Sequence, residues 1–285
     1  MNLRQAKALI PWRLKLGAKI ALSRLPLHYG LWQHLQLFRH GQMTDLGYAE
    51  RVFAGHAELI PPPTIGHAPV LLELGPGDSL LSIILGYRRG AGHTWLVDAG
   101  AFAVDDPAFY SAAAATLGVG VGPWRTMAQM FAECRGSYLT DGLASLRSLP
   151  SASVDFIWSQ AVLEHVRRAD FEATAVELRR ALRPEGCMSH QIDFKDHLGG
   201  RLNSLRFSHQ TWDGPLFSKS GFYTNRLRLG EVVRAFESAG FAVEVRASTR
   251  WEALPTPRAV MDPAFRELPD TDLLVSDALL VMQPR

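Results

Sequence analysis

The sequence predicts an α/β protein: a doubly wound, mostly parallel sheet with helices on both faces, preceded by a helical N-terminal extension. Three observations predict it. Apolar runs of strand length alternate with helix-compatible segments from Val70 onward. The run 69–74 turns through Gly75-Pro76-Gly77-Asp78-Ser79 into an apolar segment at 80–87, and a second run, 94–97, closes on Asp98. Further on, the turn 149–153 leads into another buried-looking run at 154–159.

Length and composition set the bounds. The chain has 285 residues, enough for one α/β domain with extensions or two small domains, and its 47% hydrophobic content is ample for a large core. The formal net charge of +2 says little about partners, but residues 1–44 carry seven Lys or Arg and no acid. Two readings of that basic segment stay open: a solvated cap over a ligand site, or peripheral contact with an anionic membrane surface. Cys134 and Cys187 have neither metal-ligand spacing nor a paired framework, so reduced thiols and a cytoplasmic location are expected. No run approaches the ~18 apolar residues of a membrane span. Pro11, Arg13, Lys15 and Lys19 interrupt any signal-peptide core.

In chain order, residues 1–60 read as the helical extension, with Pro11 and Pro26 as boundaries. Lys15, Lys19 and Ser23 form one stripe, with Arg13 and Arg24 on another side, so no clean apolar face is expected. The proline run 61–63 is a stiff linker into a second unit, residues 61–285. After the strand ending at Asp98 come an alanine-rich helix through Leu117, a joint at 118–123, a helix at 124–133 and a strand at 136–141. The strand at 154–159 puts Ser159 and Gln160 at its carboxyl end, where open parallel sheets collect ligands. A helix at 171–182 stops at Arg183-Pro184-Glu185-Gly186, and a strand follows at 187–192. Residues 193–225 lack a regular period and are rich in polar and aromatic side chains, which marks a functional insertion. A helix at 229–239 and strands at 241–245 and 273–282 complete the chain.

The chemistry begins at the glycine turn. Gly75 and Gly77 lack Cβ atoms, so a ligand can approach the main chain, and the next helix offers free N–H donors. Asp98, about 20 residues on, suits the two hydroxyls of a ribose. A nucleoside-containing ligand is expected. Two details discriminate among such ligands: Glu73 stands inside the first strand, and Leu80 occupies the third glycine position of the dinucleotide fingerprint.

On these residues the chain resembles the class I S-adenosylmethionine-dependent methyltransferases, whose first motif reads acid, any, Gly, any, Gly. Residues 154–166, with the phrase Leu163-Glu164-His165-Val166, and 182–186 resemble the same family. The resemblance implies a Rossmann-like sheet of seven strands whose last pair is antiparallel, and S-adenosyl-L-methionine as cofactor. It also implies a donor site made by Glu73, Gly75, Pro76, Gly77, Asp78, Asp98, Asp141, Gly142, Ser159, Gln160 and His165. Asp141 would meet the adenine amino group; the residue is equally suited to cap the helix after it. His165 would flank the donor pocket.

Acceptor chemistry is less specific. Residues 202–208 and 221–226 resemble methyltransferases of cell-surface polysaccharide functions, which implies O-methylation of a sugar, glycan or other small hydroxyl-bearing acceptor. Arg201 and Arg206 could hold a phosphate or carboxylate, Trp212 and Tyr223 could stack on a ring, and Asn225 lies in the same segment. A hydroxyl acceptor calls for a base, and the expectation is His190 or His197 with Asp193 as orienting partner. Those three could also bind a metal, but such loop clusters are more often hydrogen-bonded histidines, so no metal is expected. No nucleic-acid partner is expected. The competing readings are methylation of nitrogen or carbon on a small metabolite, a nicotinamide oxidoreductase, and a non-catalytic binding module of the same fold.

Overall fold

The computed structural model describes residues 42–62, 66–218, 220 and 222–285, together with helical residues 12, 14, 16, 17 and 20. The expectations for the rest of 1–41 lie outside the described residues.

Helix α1 (Leu46–Ala57) opens at Asp45, whose carboxylate accepts the Tyr48 N–H at 2.7 Å. The alternation then runs β1 (Val70–Leu74), α2 (Leu81–Arg88), β2 (His93–Val97), α3 (Pro107–Thr116), α4 (Met127–Glu133), β3 (Gly136–Leu139), α5 (Leu143–Ser148), β4 (Val154–Gln160), α6 (Phe171–Ala181), β5 (Leu182–Asp193), α7 (Leu229–Ser238), β6 (Phe241–Arg250) and β7 (Val275–Pro284). The seven strands form one sheet in the order β3-β2-β1-β4-β5-β7-β6. Every pairing from β3 to β5 is parallel, and β7 runs antiparallel to both β5 and β6. This is the seven-stranded, mostly parallel, Rossmann-like arrangement.

Helices cover both faces. On one, Phe53 of α1 meets Trp158 of β4 edge to face at 5.7 Å, and α2 adds Leu85 against Leu71. On the other, α6 and α7 meet through Phe171 and Phe236 at 5.8 Å, over Leu72, Ile157 and Met188. The central strands are therefore buried on both sides, which is why β1 and β4 read as mainly apolar, with Glu73 and Asp155 as buried acids within them. Helix α1 belongs to this helical layer although it precedes the proline run.

Two elements depart from expectation. Strand β5 starts at Leu182, ahead of the Arg183–Gly186 phrase expected to end a helix and precede the strand. While β4 advances from Val154 to Phe156, β5 advances from Leu182 to Cys187, so the intervening residues bulge out of the ladder. Gly186 permits this, since a Cβ there would lie 2.8 Å from the Asp155 carbonyl oxygen. Strand β6 runs on to Arg250 in antiparallel register with β7. Its outer half is solvent-exposed and lacks the apolar signal that marks the buried strands.

The 193–225 segment folds into short helical turns at Asn203–Arg206, His209–Trp212 and Pro215–Ser218. Trp212, Phe217, Phe222 and Tyr223 form a small core of their own, against which Trp12, Leu16 and Ile20 of the N-terminal segment pack. Those three apolar residues share a helical stripe, a face the charge pattern had obscured. The excursion between β6 and β7 closes the other side, with Met261, Phe265 and Leu273 packed on Leu202 and Leu205.

Candidate active site

The carboxyl ends of β1, β2, β3 and β4 meet around the glycine turn. Gly75 and Gly77 both sit at φ +70, left-handed backbone that side chains disfavour. Gly75 is also constrained from outside, because a Cβ there would lie 2.5 Å from a Val162 methyl carbon. Asp98, just past β2, accepts the Gly77 N–H at 3.1 Å on one carboxylate oxygen and the Ala99 N–H at 2.7 Å on the other. Burial pushes its carboxyl up to about 6, against the pull of those two donors. Glu73 is buried beneath the turn, with one carboxylate oxygen lacking a hydrogen-bond partner among the described residues. Burial pushes it up to about 7; neighbouring Ser82 and Trp158 oppose the rise, and the charge of Asp98 adds to it. A buried acid beneath the glycine turn and a second acid hydrogen-bonded to that turn offer carboxylate oxygens to hydroxyl or ammonium donors.

The remaining predicted donor-site residues divide. Pro76 and Asp78 are buried in the turn, and the Asp78 carbonyl accepts the Val104 N–H at 3.0 Å. Gly142, at φ +53, donates its N–H to the Asp98 carbonyl at 2.8 Å and so ties the end of β3 to the end of β2. Asp141 beside it is exposed, and its side chain does not cap α5, whose N-cap is Gly142. Gln160 is half-buried at the tip of β4, where His56 of α1 approaches its side-chain oxygen at 3.4 Å and Ser189 at 2.7 Å. Ser159 is not at the open edge. It is fully buried, with its hydroxyl 2.7 Å from His190 Nδ1.

That contact corrects the expected base. His190 has no exposed surface, lies against Phe236 at 5.9 Å and is driven down to about 3 by burial, with the charge of His56 adding to the effect. An imidazole so enclosed cannot reach an acceptor. Asp193 is not its partner either. Three residues along a strand put two side chains on opposite faces, and the Asp193 carboxylate pairs with Lys195 Nζ at 3.0 Å. His197 is half-buried and lies parallel to His165, ring centroids 5.1 Å apart.

The proposed aromatic acceptor wall is also interior. Trp212 is fully buried and donates its indole N–H to the Thr224 carbonyl at 2.8 Å. Tyr223 is buried and donates to Asp213 at 2.8 Å. Asn225 is buried and donates to the Leu163 and Val166 carbonyls at 2.8 and 2.9 Å, clamping the turn after β4. Arg206 bonds to Asn203 at 3.1 Å and lies over Trp12, whereas Arg201 is exposed.

Two groups gain importance from the structure. His165 is exposed, and its Nδ1 lies 2.9 Å from the Tyr223 carbonyl oxygen. A carbonyl only accepts, so Nδ1 carries the proton and Nε2 keeps a lone pair. Crowding by surrounding protein holds this imidazole below its ordinary value. Glu164 is buried with both carboxylate oxygens lacking hydrogen-bond partners among the described residues. Burial pushes it up to about 8. Its signal in the sequence is an acid inside the apolar phrase Val162-Leu163-Glu164. Among the described residues, no group of three or more His, Cys, Asp or Glu is arranged to hold a metal ion.

Residues 108–189 match the sequence model of a family described as a methyltransferase domain, a span that includes β3 and β4. No curated protein matches the sequence. Solved structures similar to the chain include a candidate O-methyltransferase of Nostoc punctiforme, at 13% identity over 96% of this chain and 69% of that one, with a TM-score of 0.48. An S-adenosylmethionine-dependent methyltransferase of Mesorhizobium loti is 15% identical over 82% of this chain and 97% of that one, TM-score 0.44. The YcgJ protein of Bacillus subtilis is 15% identical over 76% and 92%, TM-score 0.45. With its glycine turn, its sheet order and this domain match, the chain resembles the class I S-adenosylmethionine-dependent methyltransferases and has their Rossmann-like fold.

Proposed function

We propose that the protein is an S-adenosylmethionine-dependent methyltransferase acting on a hydroxyl of a small acceptor, such as a sugar or glycan. The observation that carries the donor assignment is the Asp98 carboxylate held 3.1 Å from the Gly77 N–H, on a turn whose two glycines are both left-handed. The residues fit the donor: a main-chain cradle that a Cβ on Gly75 would fill, an acid for the ribose hydroxyls, and a buried acid with a spare oxygen. Asp98 would hold the ribose, while Gln160, Asp141 and Gly142 would line the donor's other edges. When bound, S-adenosylmethionine supplies a methyl group already activated on a sulfonium sulfur, so the protein's task is to bind, align and exclude water.

The acceptor side then needs a base for the hydroxyl proton. His165 Nε2 fits that role: its lone pair is set by the Tyr223 carbonyl, the residue reaches solvent, and His197 stacks against one face of the ring. In that role Nε2 would take the proton of the acceptor hydroxyl during methyl transfer. Exposed Arg201 is the remaining candidate for an anionic group on the acceptor. Among the described residues no helix is long and apolar enough to cross a membrane.

Calorimetric titration with S-adenosylhomocysteine and, separately, with NAD tests the reading. Binding of S-adenosylhomocysteine alone is the expected result, and binding of NAD alone would overturn it.

A further inference from the structure

The loop that leaves Asp98 is held by a residue from another strand. Tyr138 stands on β3 opposite Leu96 of β2, and its phenol reaches over the end of β2. The hydroxyl donates to the Gly100 carbonyl at 2.9 Å and accepts the Phe102 N–H at 3.1 Å. Phe102 also donates that N–H to the Gly100 carbonyl at 3.1 Å, so one hydroxyl closes a tight three-residue turn. The Phe102 ring folds back over Gly100, where a Cβ would lie 2.7 Å from it. A second phenol secures the far end: Tyr110 donates to the Val104 carbonyl at 2.8 Å and accepts the Leu80 N–H at 3.1 Å. The loop between Asp98 and α3 is thereby fastened to β3 and to the start of α2 by the protein's own hydrogen bonds.

This loop starts at the acid assigned to the ribose and faces the Asp141–Gly142 turn, which is tied to the Asp98 carbonyl. On that assignment, a base attached to the ribose would have the 99–102 turn on one side. Resting on the methyltransferase reading, we propose that Tyr138 is a positioning residue for the donor: its phenol fixes the 100–102 turn in the shape that receives the adenosine half. Burial raises the phenol above its ordinary value, so the hydroxyl keeps its proton and its donor role through the working range of pH. Without the phenol the turn would have to be ordered by the ligand itself, which weakens binding without removing a single ligand contact.

Tyr138→Phe tests the proposal by calorimetry with two probes, S-adenosylhomocysteine and 5′-methylthioadenosine, which share the adenosine half and differ in the amino-acid tail. The expected result is weaker binding of both by the same factor, about three- to tenfold for the loss of two ordinary hydrogen bonds, with the melting temperature little changed. Amide exchange supplies a second measurement on the wild-type chain. The Phe102 N–H should exchange slowly and become slower still with S-adenosylhomocysteine bound. Wild-type affinity in Tyr138→Phe, a loss confined to the probe carrying the tail, or no effect of the probe on residues 100–104 in the wild type would each overturn the proposal. If the wild-type chain binds neither probe, the donor reading itself fails, and the positioning role with it.

Discussion

Between Glu73 and Gly142 the candidate site is made largely of main chain. Its contacts are N–H groups donated to Asp98, carbonyls accepting from Gly75 and Gly142, and two glycines at φ +70. Between Glu164 and Asn225 it is made of side chains that meet from distant parts of the chain. Tyr223 sets the tautomer of His165, Asn225 clamps the turn after β4, and Trp212 anchors a separate core. The first kind of site is local, because a strand, a glycine turn and a helix fix their own geometry within about 20 residues. The second depends on how long excursions pack, so side chains that look available in sequence become structural.

If that division is right, damage on the acceptor side should spare donor binding. His165→Ala should lower turnover on a hydroxyl acceptor by ~10²–10⁴ while leaving S-adenosylhomocysteine affinity at the wild-type value. A parallel loss of affinity would move His165 back to the donor pocket. The pH dependence should follow the same group. Its value lies below the ordinary 6.5, so Nε2 is already free at pH 7 and turnover should fall only in acid, with that fall absent from the variant.

Trp212→Ala is the next largest. Removing a fully buried indole should cost about 3–5 kcal/mol of stability, read by denaturant unfolding. Donor affinity, measured on the protein that remains folded, should not change. A stable variant with impaired turnover would restore Trp212 as an acceptor contact and break the comparison.

On the donor side, Asp98→Ala removes hydrogen bonds to a charged group worth about 1.5–3 kcal/mol. Affinity for S-adenosylhomocysteine should fall by roughly tenfold or more with turnover at saturating donor less affected. Unchanged affinity would leave Asp98 as a mere brace for the glycine turn.

The smallest effect is the pH dependence of the donor-free protein. Asp98 and Glu73 have folded values near 6 and 7, above their ordinary 3.8 and 4.5. A raised value means that the folded state holds these protons more tightly. Their stabilising contribution is therefore complete below about 4 and is lost as pH rises through 6 and 7. Glu73→Gln abolishes its share, so the melting temperature of that variant should change less between pH 5 and pH 8 than that of the wild type. Equal slopes would show that Glu73 is not the buried acid responsible.

The backbone of the glycine turn could be read from residues alone. The run ending at Leu74, the two glycines and Asp98 specify a strand, a left-handed turn and an acid at the next strand end. Only a small set of arrangements satisfies those constraints. The two-sided burial of the central strands follows from the same alternation, since apolar runs of strand length in a parallel sheet are covered on both faces. Other features were decided in three dimensions. His190 and Asp193 are near neighbours in sequence, but a strand alternates its side chains, which sends one into the core against Phe236 and the other to Lys195. Trp212, Tyr223 and Asn225 have the composition of a binding surface, yet each is buried by contacts with residues far away in the chain. The outer half of β6 carries no apolar signal because none of the described residues buries it, and its register comes from β7. Local backbone chemistry is written in short stretches of sequence. Which polar side chains face a ligand depends on packing between segments far apart in the chain.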